Sequence, residues 1–236
     1  MPATARYRIT HETRYRYSVP VTLSQQLVHL APRPCSWQQS AAPVLRISPA
    51  PTHRQDAFDC FGNPLTRLAF ETPHETLTLT ADIDITVLPR ALPDPAQSPA
   101  WETVCELLDY SAESPPSAAV LEACQFRYES PAVRLKKVFV HYSDDCFETG
   151  TPLLLGANAL MAKIFREFTF DSSATEVTTP LLEVLELKRG VCQDFAHLMI
   201  ACLRSRGLAA RYVSGYLLTA PPPGQPRLIG ADASHA

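Results

Sequence analysis

Apolar and polar residues alternate with a period of two at the start of the chain. Between Ala5 and Tyr17, Tyr7, Ile9, His11, Thr13, Tyr15 and Tyr17 share one side, and Arg6, Arg8, Thr10, Glu12, Arg14 and Arg16 share the other. This is the signature of a half-buried strand with a solvated basic face, and the arginines need no ligand to explain them. Val19-Pro20 reads as a break, with Val21 to Leu30 as the partner strand and Pro32-Arg33-Pro34 as its end. Short strands are predicted over Val44–Ile47 and Gln55–Phe61, followed by a turn at Gly62-Asn63-Pro64 and a return over Leu65–Phe70. From Thr76 to Leu88 the alternation is clearest: Leu77, Leu79, Ala81, Ile83, Ile85 and Val87 against Thr78, Thr80, Asp82, Asp84 and Thr86. Many short antiparallel strands separated by Pro and Gly turns predict a small β-sandwich or curled sheet.

Beyond this the period changes. Pro89, Pro93, Pro95 and Pro99 mark a boundary without periodicity. Trp101, Val104, Cys105, Leu107 and Leu108 then fit a short helix stopped by Ser114-Pro115-Pro116-Ser117, and a further helix is placed within Leu135–Cys146. Thr151-Pro152 reads as a cap followed by proline at the first helical position, opening a helix to about Phe168. Thr179-Pro180 opens another, Leu181–Lys188, ended by Gly190. After Val191 a helix presents Ala196, Met199, Ile200 and Leu203 on one face, and Arg204-Ser205-Arg206-Gly207 closes it. Cys202, Phe168, Phe170 and Trp101 read as core. Ala209–Leu218 is predicted as a strand with Ala210, Tyr212, Ser214 and Tyr216 on one side; a Pro-rich loop follows, and a last segment reaches His235. The class is α+β, in three stretches: a β-domain over 1–90, a mixed connecting region over 91–150, and a core over 151–236.

Composition narrows the function. The 236 residues are 46% hydrophobic, enough for a sizeable core, and carry a formal net charge of -3 without a basic block. That excludes nucleic acid as the expected partner. No apolar run reaches the length of a membrane span or signal segment, so no membrane partner is expected and the chain is placed in the cytoplasm. The seven cysteines stand at 35, 60, 105, 124, 146, 192 and 202. An odd number, scattered and without CxxC pairs, points to reduced thiols rather than a disulfide scaffold or zinc knuckle.

One of these thiols stands apart. Gly190-Val191-Cys192 puts Cys192 at the mouth of a helix, where unpaired N–H groups and aligned peptide dipoles favour negative charge. A thiol there is pushed toward thiolate, the nucleophilic form. His235, on a strand-like segment, is a candidate base, which makes a nucleophile–base pair. The competing reading is a small buried hydrophobe, the usual fate of a free cysteine. Cys192, His197 and His235 lack the closely spaced ligand pair of a metal site, so neither metal nor other cofactor is expected. His197 reads as a helix residue satisfied locally.

Three stretches together resemble the transglutaminase-like superfamily of papain-like thiol enzymes, in its bacterial branch: Gly190-Val191-Cys192-Gln193-Asp194-Phe195-Ala196-His197, the run from Leu203 to Tyr216, and Asp232-Ala233-Ser234-His235-Ala236. The opening strand, with Leu30-Ala31-Pro32-Arg33 and Asp59-Cys60-Phe61-Gly62-Asn63, is similar to the β-rich N-terminal region of bacterial members. The resemblance implies a partial papain-like core whose nucleophile helix packs on an antiparallel sheet, and a Cys-His-Asp triad with Cys192 as nucleophile and His235 as base. It implies cysteine-dependent acyl transfer or hydrolysis at protein or peptide amides through a thioester, with Gln193, Asp194, Tyr212 and Tyr216 as oxyanion or pocket candidates. The family's acidic triad member lies on the strand after the histidine, and Asp232 and Asp194 do not replace it. The chain is therefore read as a shortened form with impaired chemistry and an exposed sheet edge through which it could dimerise. The alternative is an inactive transglutaminase-like fold used as a binding or structural module.

Overall fold

A computed structural model describes residues 3–109, 111, 115–218 and 234–236. The chain divides into two compact units, residues 1–92 and 93–236.

The first unit is a pair of antiparallel sheets. Strand β1 (Ala5–Val21) runs alongside β7 (His74–Val87), with Ile9 opposite Ile83, His11 opposite Ala81 and Tyr15 opposite Leu77. On its far side β7 carries β3 (Gln38–Ser40) and β4 (Val44–Ser48). The second sheet has the order β2-β6-β5, made of β2 (Ser24–Val28), β5 (His53–Phe58) and β6 (Pro64–Phe70). Alternation in β7 sorts its side chains as expected: Leu77, Leu79, Ala81 and Ile83 are buried. Val28, Leu68 and Phe70 from one sheet meet Leu77 and Leu79 from the other, with Tyr17, Leu30 and Ile47 packed around them. The β5–β6 turn is closed by Asp59, whose Oδ1 accepts from the N–H groups of Phe61 and Asn63, and by Gly62 at φ 75°.

The pairing of Val21–Leu30 with the first strand is corrected. Strand β1 passes Pro20 through an irregularity between Arg16 and Val21, and β2 pairs with β6 instead. The apolar face of the β1–β7 sheet needs a cover, and β2 supplies part of it through Val28.

The second unit is mainly helical: α1 (Trp101–Leu108), α2 (Ala118–Cys124), α3 (Lys137–Tyr142), α4 (Leu153–Glu167), α5 (Leu181–Leu187) and α6 (Cys192–Ser205). Helix α2 was not anticipated; Ser117, read as part of a stop, caps it by accepting from the Val120 N–H. Both Thr-Pro starts shift by one residue. Pro152 and Pro180 are extended and form the caps themselves, while Thr179 Oγ1 accepts from the Glu176 N–H. Helix α5 ends at Lys188 in the left-handed region, φ 53°, not at Gly190. Gly190 instead joins β9 (Arg189–Gly190), parallel to β8 (Thr169–Phe170). Helix α6 packs among α3, α4 and α5, and its Leu198, Ala201 and Cys202 share a core with Phe139, Leu160, Ile164, Phe168, Val184 and Leu208. Phe170 is 60% exposed, against the core role expected of it. The strand expected over 209–218 is reduced to β10 (Gly215–Tyr216), which pairs with β11 (Ser234–His235). Its first part is held by other bonds: Ala210 N–H donates to Phe126 O and Arg204 Nε to Ala210 O. Among the described residues no helix is long and apolar enough to cross a membrane.

Candidate active site

Cys192 is the first residue of α6, after an extended Val191 (φ -114°, ψ 174°). The helix's first backbone bond runs from Phe195 N–H to Val191 O. The N–H groups of Cys192 and Gln193 precede it and face out of the helix end, where an anion gains both hydrogen bonds and the dipole. Cys192 and Gln193 are half-buried. Burial pushes the Cys202 thiol up to about 12 and the Cys105 and Cys146 thiols upward. All seven cysteines are free thiols.

Asp194 is engaged elsewhere than in a pocket. It is 5% exposed, and its Oδ2 accepts from the Val191 N–H at 2.9 Å and from the Thr175 hydroxyl at 2.6 Å. Gly190 is required beneath it, since a Cβ there would lie 2.6 Å from that oxygen. A carboxylate at the third helical position that accepts from the backbone before the helix is one half of a capping box, and it fixes the path into Cys192.

The segment after α6 returns past the thiol. The Tyr212 ring lies 5.0 Å from the His197 ring, inclined at 40°. The Tyr212 phenol is held neutral first by burial and then by the charge of Cys192. Burial drives His197 toward its neutral form, with Arg204 adding to this and Asp194 opposing it. Three residues on, Gly215 stands opposite His235 and Tyr216 opposite Ser234. Directly paired residues share a face, so Tyr216 sits on the other side of the ribbon from the histidine. His235 Nε2 is buried and has no hydrogen-bond partner among the described residues. Asp232 lies outside the described residues.

Sequence reasoning missed two supports. Thr175, from the loop before α5, has no periodicity or motif to mark it, and reaches Asp194 only in the fold. Arg204 is buried with no carboxylate partner among the described residues; its guanidinium donates to Ala210 O, Tyr128 O and Ser130 Oγ, tying the end of α6 to the segment that carries Tyr212. Among the described residues no group of three or more His, Cys, Asp or Glu side chains could hold a metal ion.

Residues 7–86 match the family model of the bacterial transglutaminase-like N-terminal region, and residues 140–236 match that of the transglutaminase-like superfamily. Uncharacterized proteins of Mycobacterium bovis and Mycobacterium tuberculosis are each 40% identical over 240 residues, covering all of this chain and 73% of theirs. One from Mycobacterium leprae is 28% identical over 222 residues, covering 90% of this chain and 71% of its own. A candidate cysteine protease of Cytophaga hutchinsonii, known from a crystal structure, shares the fold at TM-score 0.69 and 17% identity, over 91% of this chain and 68% of that one.

Proposed function

We propose that this chain, which belongs to the transglutaminase-like superfamily and carries the N-terminal region of its bacterial members, performs cysteine-dependent acyl transfer or hydrolysis at protein or peptide amides. Cys192 is the nucleophile and His235 the base. His235 takes the thiol proton and Cys192 Sγ attacks the carboxamide carbon. The tetrahedral oxyanion is held by the Cys192 N–H, with the Gln193 N–H beside it. The C–N bond then breaks, the amine or ammonia leaves with the proton returned by His235, and a thioester remains. An amine or a water molecule attacks that thioester, giving a new amide or an acid and freeing the thiol.

The observation that carries this reading is His235 Nε2, buried and with no hydrogen-bond partner among the described residues, on the strand pair that follows the Cys192 helix. A buried imidazole nitrogen without a partner is costly, and a mobile thiol proton is a partner it can use. The test is release of amine from a glutamine-containing peptide, run with and without an added primary amine, alongside cleavage of an unstructured protein such as casein. Turnover in either assay that falls at least about a hundredfold in both Cys192→Ser and His235→Ala supports the reading. Full turnover in Cys192→Ser, or none in the parent while its Cys192 alkylates like an ordinary exposed thiol, sinks it and leaves a binding or structural module.

A further inference from the structure

We propose that Thr175 is a positioning residue for the Cys192 nucleophile, acting through Asp194 to fix and electrostatically balance the backbone on which the thiol sits. The inference rests on the role given to Cys192 above.

Asp194 is a carboxylate almost wholly removed from water, and such a group persists only when its oxygens are satisfied. Both of its described donors meet at Oδ2: the Val191 N–H at 2.9 Å and the Thr175 hydroxyl at 2.6 Å. Val191 immediately precedes Cys192 and Asp194 follows it by two, so the carboxylate spans the backbone on both sides of the thiol. Gly190 supplies the floor, with no room for a side chain.

Thr175 comes from a separate stretch, and that stretch is itself anchored. The Asp171 N–H donates to Gly190 O, Asp171 Oδ1 accepts from the Ser173 N–H and hydroxyl, and the Glu176 N–H donates to Thr179 Oγ1 at the start of α5. The hydroxyl is thus delivered from a built loop rather than a swinging one.

The consequence for the thiol is electrostatic. Asp194 puts a negative charge within a turn of the position where Cys192 must become negative, and that raises the cost of ionising the thiol. Donation from the Thr175 hydroxyl and the Val191 N–H offsets part of that charge where it meets Oδ2. Among the described residues Tyr212 on the following segment feels the charge of Cys192; His197 lies five residues on along the same helix, and His235 on β11 is the proposed base. Thr175 touches none of the reacting atoms.

The experiment is iodoacetamide alkylation of Cys192 against pH, read by peptide mass spectrometry in the full chain, with the exposed Cys60 as reference. Thr175→Val is expected to raise the apparent pKa of Cys192 and slow its alkylation near neutral pH by about three- to tenfold, a part of the roughly tenfold or more that one hydrogen bond to a charge is worth, because the thiol feels the lost bond only through Asp194. Thr175→Ser should restore it, Cys60 should not move, and in turnover kcat should fall with KM unchanged. Asp194→Asn, which keeps an acceptor but removes the charge, should lower the Cys192 pKa. A folded Thr175→Val with a parental Cys192 profile overturns the proposal. If that variant does not fold, an unchanged or raised Cys192 pKa in Asp194→Asn overturns it instead. Either result is separate from the nucleophile assignment, which Cys192→Ser decides by turnover alone.

Discussion

Cys202 and Cys192 lie on the same helix and differ in their surroundings. Cys202 is wholly buried among Phe139, Leu160, Val184 and Leu198, and burial there opposes the thiolate strongly enough to carry its pKa from 9.0 to about 12. In the folded chain it should resist iodoacetamide at any pH below about 10, while the exposed Cys60 reacts in proportion to its thiolate. The same shift is a statement about stability. Between 9.0 and about 12 the unfolded chain sheds a proton that the folded chain keeps, so stability is intact below that window and falls as pH rises through it. Replacing Cys202 with Ala should cost about 1–2 kcal/mol near pH 7 through lost packing, and should flatten that alkaline decline. Urea unfolding of both proteins near neutral pH and near pH 10 reads the two effects separately. A parallel decline in both proteins would mean that Cys202 is not what titrates.

At the scale of elements, the junction from α5 through β9 to α6 decides where the Cys192 thiol stands. Its unusual feature is a lysine where a helix end in the left-handed region normally takes glycine. Lys188 keeps that conformation while its Nζ lies 4.3 Å from the centre of the Tyr142 ring, 4.6 Å from that of Phe168 and 3.0 Å from Glu167 Oε2. The side chain offsets a backbone penalty of about 1–2 kcal/mol. Lys188→Ala keeps the penalty and loses the contacts, so it should destabilise by about 1–2 kcal/mol; Lys188→Gly loses both and should stand closer to the parent. Equal stability of the two variants in chemical denaturation would remove backbone strain from the account. Little of this junction could be read in advance, because it depends on contacts between residues far apart in the chain. The local signals did better: alternation placed β7, and the apolar stripe placed α6. The Thr-Pro pairs located two helix starts to within a residue, missing because the proline rather than the threonine carries the extended backbone. Pairing was harder. Val21–Leu30 has strand character next to the first strand, but sheet partners follow burial of whole faces, and β2 went to β6. At the site, the Gly-Val-Cys stretch announced a helix-end thiol from its own residues, whereas Thr175 and Arg204 have roles only once the fold brings Asp194 and Ala210 to them.

At the scale of the whole molecule, each of the two units has a buried core of its own. One is formed by the facing sheets of residues 1–92, around Phe70, Leu77 and Leu79; the other surrounds α6, around Phe139, Leu160, Leu198 and Cys202. With a core in each, the two units are expected to unfold as separate cooperative units. Calorimetry of the full chain is expected to resolve two transitions. Leu77→Ala, which empties a fully buried position of the first core, should cost about 2–5 kcal/mol in one of them and leave the other in place. Arg204→Met should act on the other alone, because it strands the carbonyls of Tyr128 and Ala210 that the guanidinium serves. The chemistry offers an independent readout of the same division. Leu77→Ala should leave the Cys192 alkylation profile unchanged at temperatures where its own unit has begun to melt, while Arg204→Met should alter it by loosening the segment that carries Tyr212, whose phenol feels the charge of Cys192. A single transition displaced by both substitutions would instead make the β-sandwich part of the cooperative structure that holds the Cys192 thiol.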